Sequence, residues 1–135
     1  MKFGIAVKGI IRKDGKILVI RRTCDDCYRP DTWETVGGSM DANEVPQDAL
    51  RREIMEETCL EVEVREPFNV FNLKREGIIF KIGITFICDW KAGDVILSEE
   101  HTEYKWIDPE EFAKLKSAPS LHREINDYAK KYNER

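Results

Sequence analysis

Glu53, Glu56 and Glu57 are the residues of this chain whose type and spacing are best suited to chemistry. They lie in the run Arg51-Arg52-Glu53-Ile54-Met55-Glu56-Glu57, inside a window from Val45 to Thr58 that reads as a helix. Pro46 suits a first turn, Asn43 is placed to cap ahead of it, and Ala49, Leu50 and Ile54 recur at helical spacing. At about 100° per residue, with Glu53 at zero, Glu57 falls near about +40° and Glu56 near about −60°. On the same wheel Ala49 falls near about −40°, Leu50 near about +60° and Ile54 near about +100°. The carboxylates therefore share the apolar stripe, with Gln47, Asp48, Arg51 and Arg52 on the opposite face. They also crowd the last two turns, where the helix dipole disfavours each anion by roughly 0.3–1 kcal/mol. Like charges four residues apart cost roughly 0.2–0.5 kcal/mol more. A solvated acidic face is the usual fate of a charge run, but such a face would lie away from the apolar stripe. A cation offsetting these costs is the better account, and clustered carboxylates suit hard divalent ions, Mg²⁺ or Mn²⁺.

Strands must flank and position this helix. Ile5-Ala6-Val7 and Ile10-Ile11 lead through Lys13-Asp14-Gly15-Lys16 into Ile17 to Ile20, with Asp14-Gly15 as a two-residue primed hairpin turn. After the helix, Leu60 to Val64 alternates and reads as a strand. Phe68 to Leu73 and Ile78 to Trp90 read as two more, joined by a turn at Lys74 to Gly77. Val95 to Leu97 is expected as a short edge strand and Tyr104 to Ile107 as another. Pro109 opens a short helix through Lys116, and Pro119 or Ser120 starts an amphipathic helix through Tyr132 carrying Leu121, Ile125, Tyr128 and Ala129 on one face. There is no internal repeat or long linker, so residues 1–135 read as a single α/β domain.

The segment from Gly38 to Leu60 reads Gly38, five residues, Glu44, seven residues, Arg52-Glu53-Ile54, one residue, Glu56-Glu57, one residue, Cys59-Leu60. It closely resembles the Nudix box of the Nudix (MutT-like) hydrolases, G-x5-E-x7-R-E-U-x-E-E-x-G-U with U aliphatic. Cys59 is the single departure, standing where the family has glycine. Trp33-Glu34-Thr35-Val36-Gly37-Gly38 resembles the lead-in to the box, with Val36 in place of a frequent proline. The chain is about the size of one Nudix domain. The resemblance implies an α/β/α sandwich with a mixed sheet. It also implies hydrolysis of a nucleoside diphosphate linked to another group, with a divalent metal as cofactor and a nucleotide as substrate.

By the same resemblance Glu53, Glu56 and Glu57 hold the metal and a backbone carbonyl of the Gly37-Gly38 loop completes its shell, so Gly38 joins the expected ligands. Arg52 can pair with Asp48 or Glu56 and orient the acidic cluster, while Glu44 reads as structural. Arg21 and Arg22, ending a strand, are candidates for substrate phosphates, because guanidinium forks match phosphate oxygens; a solvated strand end is the alternative. The stretch Ser98 to Trp106 resembles the part of the family that brings a further acidic residue to the metals, with Glu100 the first choice as catalytic residue and Glu103 the second. His101 is assigned no role. Phe68, Phe71 and Phe80 are either core residues or a surface on which a base stacks.

Net charge is −4 and 36% of residues are charged, which argues against a nucleic-acid polymer as partner, since a basic stripe is the usual footprint. It leaves a single nucleotide open. At 41% hydrophobic residues the chain is long enough to bury roughly two-thirds of its unfolded surface. The most apolar stretch, Ile78 to Trp90, is too short for a membrane span and is broken by Lys81 and Asp89. The start Met1-Lys2-Phe3-Gly4-Ile5 lacks a signal-peptide pattern, so the cytoplasm is the expected location. Cys24 and Cys27 form a lone C-x-x-C without a second ligand pair, read as inert thiols, with zinc shared across a homodimer as the alternative. Cys88 alternates into a strand core. Cys59 implies a small strain or a different helix exit.

Two rivals to the enzyme come from other classes: a nucleotide-sensing module that has kept the fold without turnover, and an interaction protein whose acidic helix binds a partner. Intact Arg52, Glu53, Glu56 and Glu57 speak against the first. The marker proline of ADP-ribose hydrolases is absent, since Arg75 and Glu76 stand there. The marker tyrosine of dinucleoside polyphosphate hydrolases is missing around Glu76 to Ile78. This leans toward a small nucleoside triphosphate or related diphosphate, modified nucleotides included.

Overall fold

The computed structural model describes residues 2–23 and 30–132. Strands β1 (Gly4–Lys13) and β2 (Lys16–Arg22) form a hairpin. Its turn residues Asp14 and Gly15 have φ of 53° and 80°, as a primed turn requires. Two short strands follow, β3 (Trp33–Glu34) and β4 (Val36–Ser39), and then helix α1 (Pro46–Thr58). The long strands β5 (Glu61–Arg75) and β6 (Ile78–Ala92), the strand β7 (His101–Ile107), a 3-10 helix (Pro109–Lys114) and helix α2 (Pro119–Lys131) complete the chain.

The sheet runs β3-β2-β1-β6-β5, with β4 added to β1 and β7 to β2. β1 and β6 are parallel and every other pair is antiparallel, so the sheet is mixed. Side chains alternate between its two faces, as the two-residue period demands. Val7, Ile11, Leu18, Ile20, Phe86 and Cys88 turn to one side and bury Ala49, Leu50 and Ile54 of α1. Ile10, Ile17, Val19 and Ile87 turn to the other and bury Ile125 and Tyr128 of α2, with Phe112. The result is the α/β/α sandwich. Among the described residues no helix is long and apolar enough to cross a membrane.

Several boundaries differ from the sequence reading, each for a physical reason. Leu60–Val64 and Phe68–Leu73 are parts of one strand, β5, whose pairing with β6 slips on both sides of Pro67. Proline lacks a ladder donor, but β5 is a sheet edge, where that loss is tolerated. Trp33–Glu34 and Val36–Ser39 were not anticipated as strands, being too short and glycine-rich to alternate. Val95 to Leu97 forms no strand. Its neighbourhood caps α1 instead: the Ile96 and Ser98 N–H groups donate to the carbonyls of Thr58 and Glu57, at 3.0 and 3.1 Å, serving acceptors that the last helical turn leaves open. Asn43 does not cap α1. Val45 occupies the cap position without a side-chain bond, and Pro46 removes one of the donors a cap would have served. Cys24 and Cys27 lie outside the described residues.

Cys59 ends α1 in the left-handed conformation, φ 63° and ψ 19°, with its N–H on the Met55 carbonyl. The helix exit is thus the one glycine makes, taken by a residue with a Cβ, and the strain reading is the correct one. A left-handed non-glycine residue costs roughly 1–2 kcal/mol, offset in part by the roughly 0.5–1 kcal/mol of chain freedom that glycine gives up on folding. Cys59→Gly is therefore expected to raise stability by up to about 1 kcal/mol, read as a higher midpoint in thermal denaturation. A lower midpoint would mean that the exposed thiol contributes contacts of its own.

Candidate active site

The inner face of α1 carries what the helical wheel assigns to it. Ala49, Leu50, Ile54 and Thr58 are buried; Glu53 and Glu57 are half-buried beside them, and Glu56 stands exposed on the flank. β4 pairs with β1, Gly37 against Lys8 and Gly38 against Val7, and packs against this helix. A Cβ on Gly38 would collide with the Glu53 carboxyl, and one on Gly37 with the Val7 carbonyl and Lys8. Only a glycine at position 38 lets the Glu53 carboxylate rest directly on the backbone of β4.

Burial and the neighbouring carboxylates raise Glu53 and Glu57, against the nearby cations. Desolvation, reinforced by Glu53, Glu100 and Glu34, pushes Glu57 up to about 8 despite the opposing charge of Lys8. Glu53 is likewise raised by burial, with Arg52 opposing and Glu56 and Glu100 adding repulsion. Among the described residues no three acidic, histidine or cysteine side chains stand at the spacing of a closed metal shell. The donors are nonetheless carboxylate oxygens, partly desolvated and mutually repelling, over a glycine backbone. That set fits a hard divalent cation, which binds few protein oxygens and keeps several waters.

Arg52 is the counterweight, and of the two partners expected for it, it takes Glu56 and not Asp48. Its guanidinium grips Glu44 with two bonds, Nε to Oε2 at 2.6 Å and Nη2 to Oε1 at 2.9 Å. Nη1 reaches Glu53 at 3.1 Å and Glu56 at 3.3 Å, and Nη2 donates to the Ser39 carbonyl at 3.2 Å. Asp48 is taken by Arg51 instead, at 2.6 Å. Arg52 thus reaches round from its flank to the carboxylates. Glu44 is held down to about 2 by the Arg52 bonds and by the Asp41 N–H.

The downstream candidates separate. Glu103 pairs across the ladder with Arg21, at 2.7 Å, and Asp31 also holds that guanidinium. Glu100 precedes β7; its carbonyl accepts the Thr23 N–H at 3.1 Å, and its charge bears on Glu53 and Glu57. Arg22 donates to Glu34 at 3.1 Å.

Two residues were missed by sequence reasoning. Lys8 interrupts the apolar strand β1, which was the available signal; its Nζ donates to the Thr35 carbonyl at 2.9 Å and lies 4.0 Å from Glu34. Glu34 joins Lys8, Arg22 and the buried His101, whose Nε2 is 2.7 Å from its Oε2. Although burial opposes it, Lys8, His101 and Arg22 together hold the Glu34 carboxyl down to about 2. Lys8 and Glu34 also line a cavity of about 550 Å³ between the sheet and α2, walled further by Trp33, Asn69, Phe71 and Glu124. Of the three phenylalanines weighed for base stacking, Phe71 lines this cavity, whereas Phe68 packs on Tyr128 and Tyr132, and Phe80 lies by Arg75.

The depressed Glu34 carboxyl predicts a pH signature. Its ionised form contributes stability that is complete above about pH 4.5 and is lost as pH falls towards about 2. Glu34→Gln is expected to cost about 1–3 kcal/mol near pH 7, since Lys8, Arg22 and His101 lose a charged acceptor. Denaturation curves of both proteins should converge in acid, and a constant gap down to pH 2 would refute the ionic account.

A model of the NUDIX domain matches residues 2–128 of the chain. A MutT-like protein of Streptomyces ambofaciens is 34% identical over 108 residues, covering 79% of this chain and 65% of that protein. The CTP pyrophosphohydrolase of Escherichia coli is 30% identical over 120 residues, covering 89% and 87%. The crystal structure of a MutT protein from Methanosarcina mazei superposes with a TM-score of 0.78 at 25% identity, over 99% of this chain and 97% of the other. Sequence, box and fold agree that the chain belongs to the NUDIX family, as a hydrolase acting on acid anhydrides.

Proposed function

We propose that the protein is a divalent-metal-dependent pyrophosphohydrolase of nucleoside triphosphates or closely related nucleoside diphosphate derivatives, modified nucleotides included. The observation that carries this reading is adjacency. The partly desolvated carboxylates of α1 and the cavity share Lys8 and Glu34: both line the cavity, and the charges of both act on Glu57. At about 550 Å³ the cavity is of the size that receives small ligands. A nucleotide whose base enters it would bring its phosphates past Lys8 to α1.

Glu53, Glu56 and Glu57, with the Gly38 carbonyl, would hold Mg²⁺ or Mn²⁺, which when bound clamps phosphate oxygens and lowers the pKa of a coordinated water. Arg52 keeps Glu53 and Glu56 oriented and draws its own rigidity from the two bonds to Glu44. Glu100 is the candidate to accept a proton from the attacking water, being an exposed carboxylate beside Glu53 and Glu57. Lys8 offsets phosphate charge at the cavity rim. Arg21 and Arg22 do not line the cavity and are held by Asp31, Glu103 and Glu34, whereas Lys8 lines it and lies a looser 4.0 Å from Glu34, so Lys8 is the better-supported partner.

Incubating the protein with Mg²⁺ and a nucleotide panel, and resolving products by chromatography, tests the reading. Nucleoside monophosphate with pyrophosphate supports it. Tight nucleotide binding without turnover would point to the sensing module instead. Glu57→Gln keeps the side-chain size and removes one charge, and is expected to cut kcat/KM by at least about 100-fold, or about 2.7 kcal/mol. In chelator its thermal midpoint should be equal or higher, because a partly buried, repelled carboxylate is gone. Full activity combined with a lower metal-free midpoint would show Glu57 to be a structural partner.

A further inference from the structure

Glu100 stands in a turn that is fastened at both ends. The turn, at residues 98–101, is closed by the His101 N–H, which donates to the Ser98 carbonyl at 3.3 Å. At its start the Ser98 N–H donates to the Glu57 carbonyl at 3.1 Å, so this end rests on the last turn of α1. At its finish His101 begins β7, opposite Arg22 of β2. The His101 side chain is 1% exposed, and its Nε2 lies 2.7 Å from Glu34 Oε2. Glu99 and Glu100, between these ends, are exposed.

An imidazole is a costly way to fill this place. Glu34 is held down to about 2, so at neutral pH it is an ionised carboxylate that can only accept, and Nε2 is the donor of their bond. Nδ1 is buried and has no partner among the described residues. A leucine would fill much the same volume without stranding a polar atom, and a stranded polar atom costs stability. Packing therefore does not account for a histidine here, whereas its bond to Glu34 does. Glu34 is also the carboxylate beside Lys8, 4.0 Å from its Nζ. The carboxylate in the turn and the cation at the cavity rim thus take their places from one group.

Resting on the hydrolase reading above, we infer that His101 is a positioning residue, whose bond to Glu34 fixes the turn at 98–101 and so holds Glu100 towards Glu53 and Glu57. Glu100 is exposed, so its direction is set by the backbone that carries it. A misplacement of about 1 Å can cost on the order of 100-fold in rate, so a pin on the neighbouring residue is felt in turnover.

Steady-state kinetics with Mg²⁺ and the nucleotide hydrolysed fastest test this. His101→Leu keeps most of the volume and removes the donor; kcat is expected to fall at least about tenfold while KM moves less than about threefold. His101→Gln offers an amide donor to Glu34 and should recover most of the loss. On a Glu100→Gln background His101→Leu should lower kcat by less than about twofold, because the group it positions is already gone. Unchanged kcat in His101→Leu overturns the inference, as does a His101→Gln variant without recovery, or a loss that repeats in full on Glu100→Gln. A Glu100→Gln variant with wild-type kcat overturns it too, while the hydrolase reading stands. Two measurements need no turnover. Hydrogen exchange at the Thr23 and Ser98 amides, which bond the Glu100 and Glu57 carbonyls, should quicken at least about tenfold in His101→Leu. Unchanged exchange there counts against the pin as decisively as unchanged kcat. In the wild type, nitrogen NMR of the ring should find the proton on Nε2, and a ring protonated at Nδ1 alone overturns the inference even where thermal denaturation shows that a variant does not fold. In a protein that hydrolyses no nucleotide, quickened exchange would sustain the pin while the hydrolase reading fails.

Discussion

Glu53 and Glu57 project from the face of α1 that also carries Ala49, Leu50 and Ile54, so the helix cannot bury its apolar stripe without drawing two carboxylates out of bulk water. Much of the surrounding structure answers that constraint. β4 must be glycine at its contact with Glu53, because any Cβ there would occupy the carboxyl position. Arg52 must be held where one guanidinium reaches both Glu53 and Glu56, and the grip of Glu44 does so from outside the helix. The carbonyls at the end of α1 draw in the segment after β6 through Ile96 and Ser98, which brings Glu100 towards the same carboxylates. A site assembled this way on a helix and a strand is positioned by packing rather than by loops alone.

The sheet divides the work between its two faces. On one, Val7, Ile11, Phe86 and Cys88 anchor α1 and fix the carboxylates in depth. On the other, Ile10, Val19 and Ile87 anchor α2, and beside that contact the cavity opens. Lys8 and Glu34 connect the two. They sit next to the short strands, where Lys8 bonds the carbonyl of Thr35 and Glu34 gathers Arg22 and His101. A charged network here is costly to bury unless its charges are paired, and Glu34 is paired with Lys8, Arg22 and His101.

Elements whose pattern is local and long were legible. α1 and α2 repeat at the helical period, and the β1–β2 turn announces itself in Asp14-Gly15. β5 was read as two strands because Pro67 breaks its pattern, and the break proved to be a slip in register on an edge strand. Val95 to Leu97 has the composition of a strand. The open carbonyls of α1 were a stronger claim on its backbone than any sheet edge. Trp33 to Ser39 has too few residues to display a period at all, yet it forms both β3 and β4.

The sequence by itself determined the carboxylates of α1 and the face they share, because side-chain direction on a helix follows from the chain's own 3.6-residue repeat. It also determined the glycine pair and the box spacing. Which partner each charge would meet was decided only by the tertiary structure. Arg52 takes Glu44 rather than Asp48 because the loop before α1 folds back on the helix flank. Glu103 faces Arg21 because the register of β7 on β2 sets them opposite, and Glu100 is left to the cluster. Glu124 meets Thr85 and Asn69 from 39 and 55 residues away. Such pairings depend on strand register and helix docking across the whole chain, and no local period encodes them.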